Sequence, residues 1–110
     1  MVAGKVSHAT PFACNMGALT PEQRSRHSHL AKQLRSMLRS FRELPDGFEF
    51  EFPFDSATYE ALSELTPLEH ACCPFFTIAI RLEQDNLLWQ LTGCEGVKQF
   101  IRMEFSEWFF

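Results

Sequence analysis

The hydrophobic residues of this chain recur at two spacings, one typical of helices and the other of strands. The first helical pattern is a stripe of apolar residues three and four positions apart, formed by Leu30, Leu34, Met37, Leu38 and Phe41. A helix start precedes it, because Thr20 can cap a helix, Pro21 suits the first helical position and Gln23 can complete a capping box. The pattern predicts a first helix from Pro21 to about Arg42.

Phenylalanine then alternates with other residues, which predicts a strand. Residues 44–47 have the composition of a turn, and the strand that follows places Phe48, Phe50, Phe52 and Phe54 on one face. Pro53 has no backbone N–H to donate to a neighbouring strand. We therefore expect this strand to lie at a sheet edge or to end at Pro53.

A second helix is predicted to begin after a cap at Asp55 or Ser56 and to end at about Cys72. Its inward stripe is expected to comprise Tyr59, Leu62, Leu65 and Leu68. Pro67 falls inside this pattern and predicts a kink or a fresh start of the helix. Pro74 ends the helix because it disfavours helical angles at the residue before it.

The rest of the chain predicts a β-hairpin and a last helix. Residues 76–83 and 87–91 alternate as paired strands around a turn at residues 84–86. The last helix is expected from Cys94 to about Trp108, with its inward residues at Val97, Phe100, Ile101, Phe105 and Trp108. This order, α-β-α-β-β-α, predicts an α+β fold with a three-stranded, largely antiparallel sheet covered by helices on one face.

Length and composition restrict the classes of protein to which the chain can belong. Its 110 residues predict a single domain, residues 1–110, in which residues 1–13 form an extended arm. A hydrophobic content of 45% and a net charge of −4 argue against disorder and give no basic surface for nucleic acid. The twelve phenylalanines predict an aromatic core. The apolar end, Trp108 to Phe110, is expected to pack on the domain or on a second copy in a homodimer.

The expected location is the cytoplasm, because the chain shows neither a signal peptide nor an apolar run of the roughly 18 residues that a membrane span needs. In that compartment the four cysteines are expected to be thiols or ligands rather than structural disulfides.

The segment from Thr66 to Phe76 carries most of the chemistry. Cys72 and Cys73 are adjacent, and two neighbouring thiolates suit a soft cation such as Zn²⁺, Cu⁺ or Hg²⁺. Cys72 or Cys73 could also be the nucleophile of a thiol enzyme. The alternative is that both are small buried apolar residues without a chemical role.

Glu69 and His70 lie within one helical turn of the cysteine pair. Glu69 can act as a catalytic base, as an oxygen ligand or as a residue that orients a ligand; its alternative is a capping-box glutamate that pairs with Thr66. His70 can supply a nitrogen ligand or be a plain surface residue.

A second pair of candidates precedes this segment. Cys14 stands just before the first helix, and His27 lies on the inward face of that helix. If the helix packs over the cysteine pair, Cys14, Cys72, Cys73 and His27 supply a tetrahedral set of three sulfurs and one nitrogen. Cys94 is expected in the first turn of the last helix, where the helix dipole could activate it or where it is incidental.

These residues carry a resemblance to a family of small, mostly uncharacterised bacterial proteins. The matching segments are Leu44 to Phe48, the Glu-x-x-Cys-Cys-Pro-Phe motif that begins at Glu69, Leu91 to Lys98, and Cys14 to His27. The resemblance covers about residues 13–105. It implies that Cys14, His27, Cys72 and Cys73 share one site, and that Cys94, where relatives typically have proline, does not belong to it. It implies no reaction.

Three functions are consistent with these patterns. The first is the binding of a soft metal or metalloid ion by Cys14, Cys72 and Cys73, with His27 as the fourth ligand or as a residue that orients a ligand. The second is a thiol enzyme with Cys72 or Cys73 as nucleophile, Cys14 as resolving thiol, and Glu69 or His27 as base. The third is a module that dimerises or binds a small apolar ligand. No nucleotide cofactor is expected for any of them.

Overall fold

The computed structural model describes residues 13–109, and these form three α-helices and a four-stranded antiparallel sheet. The helices are α1 (Pro21–Met37), α2 (Ser56–Cys72) and α3 (Val97–Glu104). The strands are β1 (Ser40–Leu44), β2 (Gly47–Pro53), β3 (Thr77–Glu83) and β4 (Asn86–Thr92). Short 3₁₀ turns cover Met16–Ala18 and Ser106–Trp108. The predicted α+β class is confirmed, and the observed order is α-β-β-α-β-β-α.

The predicted three-stranded sheet is wrong by one strand, because the first helix ends earlier than expected. Leu38 leaves α1 in an extended conformation, and the backbone N–H of Arg39 donates to the carbonyl of Glu51. Residues 40–44 then pair antiparallel along β2. The pattern hid this strand because Phe41, which packs against the core from β1, also continues the helical spacing of the preceding apolar residues.

β2 lies inside the sheet, whose strand order is β1-β2-β4-β3. The prediction of an edge strand is therefore wrong, whereas the alternative that the strand ends at Pro53 is confirmed. Because Pro53 is the last residue of β2, its missing N–H does not interrupt the ladder. The predicted hairpin of β3 and β4 is confirmed, with Ile78 opposite Leu91 and Ile80 opposite Trp89.

α2 runs without interruption through Pro67, so the predicted restart at this residue is wrong. Asp55 caps the helix, as predicted, by accepting a hydrogen bond from the N–H of Thr58, and α2 ends at Cys72. Tyr59 is exposed, contrary to prediction. The inward position of the first turn is instead the fully buried Thr58, which stands four residues before Leu62.

The helices cover one face of the sheet. Phe48, Phe50 and Phe52 of β2 point into a core shared with β4 and all three helices. The opposite face of the sheet carries a polar network in which Arg42 and Gln90 donate to the carboxylate of Glu49. The predicted aromatic core is therefore present.

The last helix is shorter than the predicted 94–108, since α3 spans only Val97–Glu104. Gly96 has a positive φ of 97° and precedes the helix, so Cys94 lies outside it. The predicted inward residues are all buried, namely Val97, Phe100, Ile101, Phe105 and Trp108. The rings of Trp108 and Phe109 pack on Phe50, so this part of the chain end packs on its own domain.

Residues 1–12 and Phe110 lie outside the described part of the chain, and with them almost all of the predicted N-terminal arm. Within residues 13–109, no helix combines the length with the apolar character that a bilayer crossing requires.

Candidate metal centre

The carboxyl end of α2 positions three of the candidate groups. Glu69, Cys72 and Cys73 fall within one turn and point into the interior, where both cysteines are fully buried and Glu69 is 2% exposed. The backbone N–H of Cys73 donates to the Glu69 carbonyl at 2.8 Å and closes the last turn. Pro74 stops the helix here, so the local sequence fixes the two thiols at a change of backbone direction.

The segment before α1 brings Cys14 to the same point. The backbone N–H of Asn15 donates to the Cys72 carbonyl at 2.8 Å, which fastens this segment to the last turn of α2. On its other side, the Arg24 guanidinium donates to the carbonyls of Met16 and Leu19. These backbone contacts hold the half-buried Cys14 against the cysteine pair.

Three sulfur atoms meet as a result. Cys14 Sγ lies 2.9 Å from Cys73 Sγ and 3.5 Å from Cys72 Sγ, and the sulfurs of the pair are 3.9 Å apart. All four cysteines carry free thiols. With a carboxylate oxygen of Glu69, the three sulfurs form a group whose ligand atoms all lie within 4.8 Å of one another. The predicted meeting of Cys14 with the cysteine pair is therefore present in the structure.

Glu69 pairs with His27 rather than with a helix cap. His27 Nε2 lies 2.8 Å from Glu69 Oε1, and the His27 side chain is 16% exposed. The capping-box alternative for Glu69 is wrong because α2 does not restart at Pro67, and the Thr66 hydroxyl instead donates to the Leu62 carbonyl. A buried carboxylate needs a hydrogen-bonding partner, and the imidazole supplies it.

The electrostatics of the centre favour one thiolate among three sulfurs. Hydrogen bonds from the thiols of Cys14 and Cys73, followed by that from His27, hold the pKa of Cys72 well below its usual range. Hydrogen bonding to Cys72 is the main cause that raises the pKa of the Cys14 thiol, and hydrogen bonding to Cys14 is the main cause that raises that of Cys73. Hydrogen bonds to Cys72 and then to Glu69 raise the pKa of His27 to about 9. These shifts favour a thiolate at Cys72 and a proton on His27.

The donor set fits a soft metal ion. In a tetrahedral site with metal–sulfur bonds of about 2.3 Å, sulfurs are separated by about 3.8 Å. Two of the three separations, 3.5 and 3.9 Å, are close to this value. The third, 2.9 Å, would widen by about 0.9 Å, and it involves Cys14, which lies in an irregular segment rather than in a helix. Glu69 offers a fourth, oxygen ligand.

The remaining candidates stand in different positions. His27 contacts the centre through Glu69 and Cys72 and lies outside the four-residue group, which suits a residue that orients a ligand. His70 is exposed and is not part of the group. Cys94 is exposed and lines a separate cavity beside Pro45 and Asp46.

A cavity of about 340 Å³ opens beside the centre, and sequence reasoning missed it. Cys14, Glu69 and His27 line one side, and Met16, Ala31 and residues 104–108 line the rest. For Met16 the sequence held a weak indication that it lies beside the centre, because it stands two residues after Cys14. For Trp108 the sequence held no such indication, because only the fold brings this part of the chain to the cavity.

None of the family models, curated proteins or solved structures with which the chain was compared matches it. The resemblance to small bacterial proteins that share the Cys-Cys-Pro-Phe motif therefore stays a prediction.

Proposed function

We propose that this protein binds a soft, thiophilic metal or metalloid ion through Cys14, Cys72 and Cys73, and that it sequesters, delivers or senses that ion in the cytoplasm. Glu69 supplies an oxygen ligand or orients the site, and His27 holds the Glu69 carboxylate in place. The supporting observation is that sulfurs 58 and 59 residues apart along the chain converge to 3.5 and 2.9 Å.

Burial supports this proposal over the reading of the cysteines as plain apolar residues. A structural cysteine packs well among hydrocarbon side chains, whereas here each sulfur contacts two others, and a buried carboxylate completes the group. Thiolates favour Zn²⁺, Cu⁺ and Hg²⁺ alike, so the proposal extends to this class of ions.

Metal analysis tests the proposal. The reduced protein is loaded separately with Zn²⁺, Cu⁺ and Hg²⁺, desalted and analysed for bound metal, beside the Cys72→Ser/Cys73→Ser double variant. We expect about one ion per wild-type chain for at least one metal, and an affinity at least a hundredfold weaker in the variant, because two of three thiolates are gone. Equal metal content in the two proteins would refute the proposal.

Two further variants make the comparison sharp. Cys94→Ser removes an exposed thiol outside the centre and should bind like wild type. Cys14→Ser alters a half-buried side chain and spares the fully buried pair, so it should weaken binding with little effect on folding, which circular dichroism verifies. Loss of metal in Cys94→Ser but not in Cys14→Ser would place the site elsewhere.

A second function is favoured by the 2.9 Å contact of Cys14 Sγ and Cys73 Sγ, which suits thiol–disulfide exchange. A thiolate of the pair attacks one sulfur of a substrate disulfide and expels the first substrate thiol. Cys14 then attacks the protein sulfur of the mixed disulfide and expels the second thiol. The substrate gains two electrons and two protons, and the protein keeps a disulfide. Glu69 serves as the base, because the raised pKa of His27, about 9, keeps the imidazole protonated near neutral pH.

Mass spectrometry distinguishes this function from metal binding alone. Metal-free protein is incubated with oxidised glutathione and digested, and we expect a loss of two hydrogens and a linked pair of peptides that includes Cys14. If the reagent modifies only the exposed Cys94, the thiol-exchange function is excluded.

A further inference from the structure

The proposed centre is closed on one side and open on the other. Cys72 and Cys73 are fully buried, whereas Cys14 is half-buried and lines the cavity of about 340 Å³ together with Glu69 and His27. An ion held by the three sulfurs is therefore reached from the side of Cys14 and Glu69. Structural metal sites are closed by four protein ligands, while sites that exchange or react keep a position open.

The cavity is large enough for a molecule and not merely for a bare ion. Its volume lies in the range of small-ligand pockets, about 300–1,000 Å³. Its wall combines the Met16 side chain, the Trp108 ring and the His27 imidazole. A second cavity of about 430 Å³ shares these three side chains and extends away from Cys14.

Charges of both signs line the two cavities. Glu104 and Glu107 border both of them, and Lys32 and Arg35 border the outer one. This arrangement matches a molecule that carries an ammonium and a carboxylate as well as its metal-binding group. A soft ion already bound to a small molecule is most stably bound through a thiolate.

We infer that the centre exchanges its ion with a low-molecular-weight, zwitterionic thiol that occupies this cavity and binds the ion at its open position. The inference rests on the proposed metal-binding function. In each exchange step one protein thiol gives its proton to the departing small thiolate and replaces it on the ion, so the metal keeps its oxidation state and no electron is transferred. Glu69 yields its place on the ion when the small thiol enters.

Cobalt spectroscopy tests this inference. Co²⁺-loaded protein is titrated with glutathione, which has the required thiol and charges, and with S-methylglutathione, which lacks only the free thiol. We expect a saturable change in the ligand-field absorption of Co²⁺ with glutathione while the thiolate-to-cobalt absorption of the protein ligands persists. S-methylglutathione should leave the spectrum unchanged.

A variant that fills the cavity provides a second test of the inference. Ala31 lines both cavities from α1 and is not a ligand, so Ala31→Phe should keep Co²⁺ bound and weaken the response to glutathione at least tenfold. The inference is overturned if glutathione leaves the wild-type spectrum unchanged, if it removes Co²⁺ without a ternary spectrum, or if Ala31→Phe responds like wild type. Absence of any thiolate-to-cobalt absorption in wild type would overturn the inference, and failure to retain Zn²⁺, Cu⁺ or Hg²⁺ as well would refute the underlying metal-binding function.

Discussion

At the scale of single residues, the centre depends on a negative charge at Cys72 that neighbouring groups stabilise. The thiols of Cys14 and Cys73 and the His27 imidazolium stabilise that charge, although a helix carboxyl end by itself disfavours a thiolate. Because Cys14 and His27 come from other segments of the chain, the folded structure is needed to stabilise this charge. Metal binding would complete the deprotonation that Cys72 begins, and it should release protons from Cys14 and Cys73.

The residue scale gives a prediction for the pH dependence of stability. In the folded, metal-free protein the pKa of His27 is raised to about 9, and the pKa of Cys72 is held well below its usual range. In the unfolded chain these groups titrate near 6.5 and 8.5. The stabilisation from His27 is full below 6.5 and is lost as the pH rises to about 9. The stabilisation from Cys72 is full above 8.5 and is lost as the pH falls. The two changes cancel between about pH 6.5 and 8.5.

We therefore expect the free energy of unfolding to form a plateau over that window and to decline on both sides of it. Urea unfolding at pH 5.5 to 9.5, with reductant and chelator present, measures it. In Cys72→Ser the opposing Cys72 change is absent, whereas Glu69 still raises the pKa of His27, so stability should fall from about pH 6.5 upward. A plateau of the same width in Cys72→Ser would contradict this account.

At the scale of elements, the sequence patterns predicted six of the seven helices and strands in their observed order, failed to predict β1, and misplaced the end of α1 and both ends of α3. β1 was missed because no glycine or proline stands between Met37 and Pro45 to mark the helix end. The helix stops there because Arg39 can donate to the carbonyl of Glu51 in β2, and that partner is known only once the sheet exists. Local pattern therefore could not separate α1 from β1.

The turn between β1 and β2 gives a prediction at the element scale. A Cβ atom at Gly47 would lie 1.9 Å from the Leu91 carbonyl oxygen and 2.8 Å from Thr92 Cα, and neither is a side-chain atom that can move aside. Gly47→Ala should therefore force β2 and β4 apart and cost at least about 2 kcal/mol in the free energy of unfolding.

Gly17→Ala is the matched control, because a Cβ there meets only the Asn15 side-chain oxygen at 3.1 Å. Chemical denaturation of both variants measures the difference, and equal stability of Gly47→Ala and Gly17→Ala would contradict the predicted close approach.

At the scale of the whole molecule, the centre joins segments that are far apart in the chain. The sequence could nominate Cys14, Cys72 and Cys73, since the predicted location is the cytoplasm, where thiols have few alternative roles. It could not pair Glu69 with His27, because the capping-box role accounted for Glu69 equally well before the helix was seen to continue. The predicted homodimer and the cytoplasmic location stay predictions.

Metal binding should stabilise the entire fold, because the centre ties the segment before α1 to the end of α2. At a free ion concentration one hundred times the dissociation constant, the stabilisation is about 2.7 kcal/mol. For a domain of this size that corresponds to a rise in melting temperature of roughly 10–20 °C. Differential scanning calorimetry with and without the ion measures it. Cys94→Ser should show the full rise in melting temperature, whereas Cys14→Ser should lose most of that rise. The reverse pattern would contradict the proposed ligands.

X-ray absorption at the metal edge of the Zn²⁺-loaded protein tests the central claim most directly, since it counts the sulfurs bound to the ion. The account predicts three sulfur neighbours at about 2.3 Å and one lighter ligand at about 2.0 Å, with one sulfur fewer in Cys14→Ser. A shell of nitrogen and oxygen alone, or an unchanged sulfur count in Cys14→Ser, would contradict it.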